Sequence, residues 1–319
     1  MKTVSVFLKI GRKKIGKHSF INENSEIRLI KFLLQTKKCN MGTIRKALRN
    51  KDIRINGNKV KEDIILHTND TVEIFLPNDF SPQSTQKIDI PIVFEDDNIL
   101  VVNKPQGIAV HAGDSDDCEN NSQTLIKLLQ EQTSSELQLC HRIDRNTGGL
   151  VLLAKNRTAL EEILAAIENH SIKKFYRCIV YGKPNPATAT LTNYLAKNSR
   201  LSKVFVHSTR EKGDLTAITT YKTLNTCGEL SLLEVSIATG RMHQIRAQLS
   251  HAGYPILGDG KYGNTTVNRK FKSKVQQLFA FRLSFDFPAK SKLSYLSGTS
   301  VEISTIDETD LNQFNILQI

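Results

Sequence analysis

A ten-residue loop holds the side chains of this sequence that are best suited to chemistry. The loop, Cys140 to Gly149, places Asp144 between Arg142 and Arg145 and runs directly into the apolar segment Leu150 to Ala154. Such an apolar run is typical of a buried strand, and the two arginines would keep the carboxylate ionised even if it is partly removed from water. The loop therefore contains a candidate nucleophile or base. An ordinary ion pair in a surface loop is the alternative that these residues alone leave open.

The segments around this loop alternate between strand-like patterns and a small number of helices. Hydrophobic periodicity predicts strands at 99–102, 175–181, 229–238 and 278–287. A capping box at Thr158–Glu161 predicts a helix that ends near His170. A second helix is predicted from Ala247, so that Arg246 lies in or beside its first turn. Strands with few helices between them predict an antiparallel or mixed sheet, and therefore an α+β fold rather than a doubly wound one.

The positive charge of the chain is concentrated at one end. The 319 residues carry a formal net charge of +12, and residues 1–75 alone hold 17 Lys and Arg against 7 Asp and Glu. A chain of this length favours two domains, and a basic module beside a nearly neutral body is typical of an electrostatic anchor for nucleic acid. An anionic membrane surface as the partner, or a merely well-solvated surface, are the alternatives.

No segment of the sequence has the composition of a membrane span or a secretion signal. The apolar runs fall short of the roughly 18 residues that a span needs, and polar residues interrupt the N-terminal segment too often for a signal peptide. The five cysteines form no C-x-x-C pair, which indicates reduced thiols. We therefore expect a cytoplasmic protein without a membrane partner. We also expect a monomer.

The basic module contains predicted helices and strands that would display its charge on one side. Ser25 is a candidate N-cap for a helix over residues 25–36, and a second helix is predicted from Thr43. Residues 53–60 alternate around Asn-Gly, which predicts a tight hairpin, and a further strand follows at 72–76. The two helices share a basic outer side and the hairpin adds one more cation. These candidate RNA-binding residues are Arg28, Lys31, Arg45, Lys46, Arg49 and Arg54.

Three successive segments are predicted from these patterns. A small basic domain spans 15–76, a polar linker that contains prolines spans 77–88, and a larger domain spans 89–305. A polar loop at 114–119 holds four acidic residues whose spacing does not fit a calcium loop; they are Asp114, Asp116, Asp117 and Glu119. The sequence also lacks a glycine-rich phosphate loop and zinc-ligand spacing, so we predict neither a metal nor a cofactor.

Residues 15–76 resemble the small RNA-binding domain first known from ribosomal small-subunit protein four. The resemblance rests on the two basic helices, the Arg-x-Asn-Gly hairpin and the closing strand after Asn69-Asp70. It implies that the helices and the hairpin grip folded RNA through its phosphates. Lys51 stands where that family usually has a glycine before the hairpin strand.

Three separated motifs in the larger domain resemble those of the RluA-type pseudouridine synthase family, in the same order and at similar separations. They are Asn103-Lys104-Pro105 with Gly107 and Val110-His111, then His141-Arg142-Ile143-Asp144 with Thr147 and Gly149, then Gly240-Arg241 with His243-Gln244 and Arg246. Gly258-Asp259 with Tyr262-Gly263 also matches, and the resemblance covers about residues 89–288. The segment 107–113 is most similar to members that modify several sites in large-subunit ribosomal RNA.

The resemblance implies a role for several side chains. Asp144 would be the catalytic aspartate, which attacks or otherwise activates the ribose at the glycosidic carbon while the uracil detaches, turns and rejoins through its carbon 5. Tyr176 would stack on the target base and take the proton from carbon 5. Arg246 would pair with the aspartate, and Arg142 would fill the gap left in the RNA when the uridine flips out. Supporting substrate-binding residues would be His141, Thr147, Arg241, His243 and Gln244.

Three positions in the larger domain depart from the pattern of this family. Gly148 stands where the family usually has a serine, and Phe279 and Phe287 stand where relatives often carry histidines. A glycine at 148 allows that turn more conformational freedom. None of the three is among the catalytic or substrate-binding residues named above.

The sequence predicts an RNA pseudouridine synthase, an isomerase, with large-subunit (23S) ribosomal RNA as its substrate. Isomerising uridine adds no atoms and changes no oxidation state, so one carboxylate suffices without a metal or redox cofactor. The alternative is a non-catalytic RNA-binding factor for ribosome assembly, built from the same two domains. A thiol hydrolase that uses Cys140 and His141 is disfavoured, because adjacent residues of an extended loop point apart.

Overall fold

The chain divides into two compact units, and the boundary along the sequence lies between Ile88 and Asp89. We describe a computed structural model of the chain. It describes residues 4–10, 13–36, 39, 41–77, 88–111, 124–198 and 201–316, with side chains from residue 16 to residue 314 of these ranges. The predicted acidic loop at 114–119, and all but the two end residues of the predicted linker at 77–88, lie outside the described residues.

The first unit combines an antiparallel sheet with two helices. Its elements are β1 (Val4–Ile10), β2 (Lys13–Ile21), β3 (Glu26–Arg28), α1 (Leu29–Gln35), α2 (Met41–Asn50), β4 (Ile53–Ile55), β5 (Asn58–Val60), β6 (Ile65–His67) and β7 (Thr71–Pro77). The sheet has the order β1-β2-β7-β4-β5, and β3 pairs separately with β6. Fully buried side chains of both helices and three strands meet in one core, for example Phe32, Ile44, Ile53, Leu66 and Ile74.

The first helix of this unit begins later than the sequence predicts. Ser25 is not its N-cap, because the residues that follow it form β3, whose backbone pairs with β6. Helix α1 instead begins at Leu29, where the carboxylate of Asp63 accepts the backbone N–H of Ile30 at 2.9 Å. Long-range strand pairing and a distant cap therefore replace the local N-cap that the sequence favours.

The predicted hairpin is present, and the structure explains the lysine that precedes it. Asn56 and Gly57 both have positive φ angles of 49° and 83°, as a two-residue hairpin turn requires. Lys51 also has a positive φ of 59°, and its N–H donates to the carbonyl of Leu48 at 3.0 Å. Lys51 thus closes the end of α2 in the left-handed conformation that glycine usually supplies.

The second unit is built on a large mixed sheet. Its elements are β8 (Ile92–Glu95), β9 (Ile99–Lys104), α3 (Leu125–Thr133), β10 (Gln138–Leu139), β11 (Gly148–Ala154), α4 (Arg157–Glu168), β12 (Ile172–Tyr181), β13 (Thr188–Asn198), β14 (Lys203–His207), β15 (Leu215–Cys227), β16 (Leu230–Ile237), α5 (Gln244–His251), α6 (Thr265–Lys270), β17 (Leu278–Phe285), a 3₁₀ turn (Ser294–Leu296), β18 (Ser300–Glu302) and α7 (Glu308–Ile316). The sheet order is β14-β13-β15-β16-β12-β17-β11-β9-β8, with β10 beside β11 and β18 beside β17. Its pairs are antiparallel except for the parallel pair β11–β17. The sheet is therefore mixed and mostly antiparallel, which confirms the predicted antiparallel or mixed sheet.

The start of α4 differs from the predicted capping box. The side chain of Asn156 accepts the N–H of Ala159 at 2.9 Å, so Asn156 is the N-cap and Thr158 already lies in the first turn. Asn is among the best N-cap residues, and its position fixes the helix start. Helix α5 also starts earlier than expected, at Gln244, which makes Arg246 its third residue.

Gly148 and Phe279 depart from the family pattern together, and the structure shows that they touch. A Cβ atom at position 148 would lie 2.8 Å from the ring of Phe279, a distance that real contacts do not reach. The neighbouring Gly149 has φ +106° and faces the backbone of Ala280 across the parallel pair. Phe287 lies in the core and stacks on Phe285, with ring centroids 6.1 Å apart. A side chain at position 148 would therefore require the Phe279 ring to shift.

Candidate active site

One cleft in the second unit brings the predicted residues together from three parts of the chain. The loop between β10 and β11, strand β12 and the start of α5 line a cavity of about 350 Å³, a size typical of small-ligand sites. The predicted catalytic and substrate-binding residues that line it are His141, Arg142, Asp144, Thr147, Tyr176, Arg241, His243, Gln244 and Arg246.

Asp144 and Arg246 form an ion pair inside this cleft. The Nη1 group of Arg246 donates to Oδ2 of Asp144 at 2.8 Å. The carboxylate is partly open to the cleft, with its side chain 25% exposed, whereas the guanidinium is buried. A charge-assisted bond of this length fixes the orientation of the carboxylate. Asp144 is therefore held in one place where a ligand in the cleft can reach it.

Asp259 holds the other side of the same guanidinium, and sequence reasoning assigned it no role. Nε and Nη2 of Arg246 donate to its two carboxylate oxygens at 2.7 and 3.0 Å. The carboxylate also accepts the backbone N–H groups of Lys261 and Tyr262. Burial acts to raise the pKa of Asp259, but these bonds more than offset it, and the pKa is lowered overall. Asp259 thus positions Arg246, which in turn orients Asp144.

The side chain of Lys104 anchors the loop from Cys140 to Gly149. Its side chain is fully buried at the end of β9, and Nζ donates to the carbonyls of Pro105, Ile108 and Arg145 at 2.9, 2.9 and 3.0 Å. Burial lowers its pKa to about 7, while Asp144 acts in the opposite direction. Three acceptors match the three N–H groups of an ammonium, so the geometry is that of the protonated amine. Lys104 ties the end of β9 to the loop that carries Asp144.

Tyr176 projects into the cleft from β12, in the middle of the sheet. A β-bulge between Phe175 and Tyr176 shifts the register of β12 against β17 at this point. The ring is buried, and burial together with the charge of Asp144 raises the pKa of its hydroxyl. The phenol therefore keeps its proton at neutral pH and presents an aromatic surface to the cleft.

His141 and Thr147 support the ends of the loop. Nε2 of His141 accepts the backbone N–H of Leu152 at 3.0 Å, and burial lowers the pKa of this histidine to about 3, so the ring is neutral. The hydroxyl of Thr147 accepts a bond from Gln276 at 3.0 Å. The N–H of Thr147 donates to the carbonyl of Asp144, also at 3.0 Å. These contacts shape the loop that presents the carboxylate.

Gln244 and the two rim arginines have different surroundings. The amide of Gln244 is buried, donates to Ile218 and Thr219, and accepts from Thr239 and Arg241. Its hydrogen-bonding capacity is used within the protein, so it positions the segment before α5. Two exposed guanidinium groups lie at the mouth of the cleft, and they belong to Arg142 and Arg241.

Comparison with known proteins supports a single family. The sequence profile of the family described as RNA pseudouridylate synthase matches residues 98–251. The ribosomal large subunit pseudouridine synthase C of Vibrio parahaemolyticus is 31% identical over 290 residues, which cover 88% of each chain. The chain belongs to the RNA pseudouridylate synthase family. The enzyme of the same name from Vibrio cholerae is 30% identical over 276 residues, covering 81% of this chain and 84% of the relative.

The fold of this pseudouridine synthase is also found among solved structures. Human RNA Pseudouridylate Synthase Domain Containing 1 aligns with a TM-score of 0.54 at 21% identity, over 74% of this chain and 97% of that one. Human RNA Pseudouridylate Synthase Domain Containing 4 aligns with the same TM-score at 22% identity, over 72% and 93%. The predicted family and enzyme class, an isomerase, are confirmed, and the non-catalytic alternative is not favoured.

The described residues show neither a metal cluster nor a spanning helix. Among them, no group of three or more His, Cys, Asp or Glu side chains is arranged to hold a metal ion. Within the same ranges, every helix is too short or too polar to span a bilayer.

Cys140 and His141 do not form a nucleophile and base pair. Burial raises the pKa of the Cys140 thiol to about 12, and Sγ lies 3.8 Å from the carbonyl of Gln138. Nε2 of His141 is occupied by the N–H of Leu152. We therefore expect Cys140→Ser to turn over RNA at close to the wild-type rate, measured as single-turnover conversion. Loss of activity in a folded Cys140→Ser protein would instead support thiol chemistry.

Proposed function

We propose that this pseudouridine synthase acts on uridine in large-subunit ribosomal RNA, with Asp144 as its catalytic carboxylate. The observation that carries the proposal is the chain of contacts in the cleft. Asp259 clamps Arg246 through two bonds, and Arg246 donates its remaining edge to the carboxylate of Asp144. Such preorganisation costs no rearrangement at the moment of reaction. The substrate assignment is supported by relatives named as ribosomal large subunit pseudouridine synthases.

The reaction needs one group that acts on the sugar and a surface that holds the base. Asp144 would act at the glycosidic carbon C1′, either by direct attack or by abstracting a proton from the ribose. The C1′–N1 bond breaks, a C1′–C5 bond forms, and the hydrogen of C5 leaves as a proton while N1 gains one. The raised pKa of Tyr176 disfavours the phenolate that would take this proton. We therefore assign Tyr176 to stacking on the uracil.

RNA can reach this site only if the target uridine leaves its stack. Extruding a base costs a few kcal/mol, and stacking on Tyr176 inside the cleft offsets part of it. Arg142 and Arg241 are exposed at the mouth and can contact the backbone, or in the case of Arg142 fill the gap in the RNA. Lys174 adds a further cation to the lining.

The first unit would anchor the RNA through its basic side. Arg28, Lys31, Arg45, Lys46 and Arg49 are exposed on or next to the two helices. Arg54, in the hairpin, lies over the ring of Phe75 at 5.1 Å. Arg28 donates to the carbonyl of Asp63. We assign the main contacts to α2, because it carries three exposed cations within five residues. A cytoplasmic location and a monomeric state remain predictions.

Neutralising the exposed cations of α2 should weaken RNA binding and flatten its salt dependence. Each phosphate contact contributes about 0.7 to 0.9 to the slope of log affinity against log salt concentration. For Arg45→Gln, Lys46→Gln and Arg49→Gln combined, we expect a slope that is smaller by about 2. The measurement is a binding titration at several salt concentrations. The control replaces three exposed lysines of the second unit by glutamine; they are Lys183, Lys222 and Lys290. Equal salt-dependence slopes for the two triple variants would refute the proposed role of α2 as an RNA anchor.

Release of tritium from RNA labelled at uracil C5 tests the proposed activity and substrate. The C5 hydrogen must leave when C5 becomes the glycosidic carbon. We expect the purified protein to release tritium from a large-subunit ribosomal RNA transcript, or from immature large subunits, and none from a small-subunit transcript of similar label content. Release from the small-subunit transcript alone would overturn the proposed substrate assignment. No release from any RNA would overturn the proposed activity.

A further inference from the structure

His243 adopts an unusual backbone conformation at the edge of the cleft. It is the N-cap residue of α5 and has φ 54°, the left-handed region, with no capping bond from its side chain. A residue other than glycine rarely takes this conformation, and it persists where the surroundings enforce it. The side chain is only 14% exposed. Its ring is thus held in one place beside Asp144.

Tyr262 determines which ring nitrogen of His243 carries the proton. Its hydroxyl lies 2.9 Å from Nδ1 of His243 and accepts the backbone N–H of Val204 at 2.8 Å. Within the part of the chain that the structure describes, Nδ1 is the one acceptor in reach of this hydroxyl proton. The phenol therefore donates to Nδ1, and the proton of the neutral imidazole resides on Nε2. Burial lowers the pKa of His243, which keeps the ring neutral.

His243 and the proposed catalytic carboxylate both line the cleft, with a gap between Nε2 and the carboxylate. Nε2 lies 4.0 Å from Oδ2 of Asp144, too far for a hydrogen bond. In the described ranges of the chain no hydrogen-bond acceptor meets this N–H. An oxygen placed about 2.8 Å from both atoms would fill the gap. To satisfy both neighbours, that oxygen must accept from Nε2–H and donate to the carboxylate, which a water molecule or a hydroxyl group of the substrate does.

The chemistry of RNA identifies this hydroxyl. Within an RNA strand the 3′ and 5′ oxygens of each ribose are esterified, so the 2′-hydroxyl is the one free hydroxyl of the sugar, and it can both donate and accept. It is attached to the carbon next to C1′, on the ring face opposite the base. A carboxylate that approaches C1′ opposite the departing base meets this hydroxyl first. The ring oxygen O4′ cannot donate and would repel the carboxylate.

We propose that His243 and Asp144 jointly bind the 2′-hydroxyl of the target uridine, with His243 as donor and Asp144 as acceptor. This inference rests on the proposed action of Asp144 at the ribose. It gives His243 a role in recognition: the two hydrogen bonds anchor the hydroxyl on the carbon next to C1′ and select RNA over DNA. Tyr262 is then a positioning residue, because it fixes the tautomer through which His243 donates.

The test compares two RNAs and two proteins by equilibrium binding. The probe is a large-subunit ribosomal RNA transcript in which every uridine carries fluorine in place of the 2′-hydroxyl, and the reference is the unmodified transcript. A third transcript with 2′-fluorocytidine controls for fluorine elsewhere in the RNA. The variant is His243→Asn, because asparagine tolerates the left-handed conformation and can still meet Tyr262 but does not reach the gap.

The proposal predicts a coupled result. Wild type should bind the unmodified transcript about 10-fold more tightly than the fluorouridine transcript. A difference of this size corresponds to the loss of one or two hydrogen bonds. The His243→Asn protein, shown to be folded by its thermal unfolding, should bind both with equal affinity. Equal binding of both RNAs by wild type, or undiminished discrimination by His243→Asn, would overturn the proposal. Tritium release by wild type decides the proposed function separately, so failure of the inference and failure of the function are distinguishable.

Discussion

Replacement of Asp144 by asparagine should reduce single-turnover conversion of uridine by about 10⁴-fold or more, because the group that we propose acts on the sugar is lost. Asparagine is nearly isosteric, and its side-chain oxygen can still accept the bond from Nη1 of Arg246. The cleft and its RNA contacts should therefore persist. We expect RNA affinity within a few-fold of wild type, which would place the effect in the chemical step.

The matched control for this variant is Asp286→Asn, an exposed carboxylate on the same unit. It should convert RNA at the wild-type rate. Equal tritium release by wild type and Asp144→Asn would remove Asp144 from the mechanism. A loss of RNA binding as large as the loss of rate would instead make Asp144 a binding residue.

Asp259→Asn should both destabilise the protein and slow the reaction. The change places an amide donor or a neutral oxygen against a buried guanidinium that donates two bonds to the wild-type carboxylate. Removing one partner of a buried ion pair typically costs about 3–5 kcal/mol of unfolding free energy. Urea unfolding measures this loss. The exposed pair Arg157–Glu161 gives the control, since Glu161→Gln should cost at most about 1 kcal/mol.

The effect of Asp259→Asn on rate should remain at a temperature where the variant is fully folded. Without its clamp, Arg246 no longer fixes the carboxylate of Asp144, so kcat should fall while KM for RNA changes little. Asp259 contacts Arg246 and the backbone N–H groups of Lys261 and Tyr262, so it acts through its neighbours. Wild-type kcat in the folded variant would show that the clamp serves stability alone.

The sequence predicts the outline of the site because its key signals are local. A charged loop before an apolar run becomes the loop before β11, and all seven residues of that strand are buried. The strand periodicity at 175–181 places Tyr176 on β12, and the helical pattern places Arg246 at the start of α5. The catalytic and binding roles of these residues remain predictions, since they follow from the resemblance.

Other features depend on contacts that no local pattern encodes. Asp259 accepts hydrogen bonds from Arg246, which lies thirteen residues earlier in the chain. The buried ammonium group of Lys104 donates to three carbonyls from two segments. The cap of α1 comes from Asp63, which is distant in sequence, so the local signal at Ser25 was misleading. Tertiary contacts override local propensity in such cases.

The most direct test of the central claim is the nucleoside composition of RNA after treatment with the wild-type protein. An isomerase that moves the glycosidic bond of C1′ from N1 to C5 of the same uracil must convert uridine into a nucleoside of unchanged mass and altered chromatographic mobility. We predict that this product appears in large-subunit ribosomal RNA with wild type and is absent with Asp144→Asn. Free uracil in place of the isomer would show a glycosidase, and product formation independent of Asp144 would contradict the role of its carboxylate.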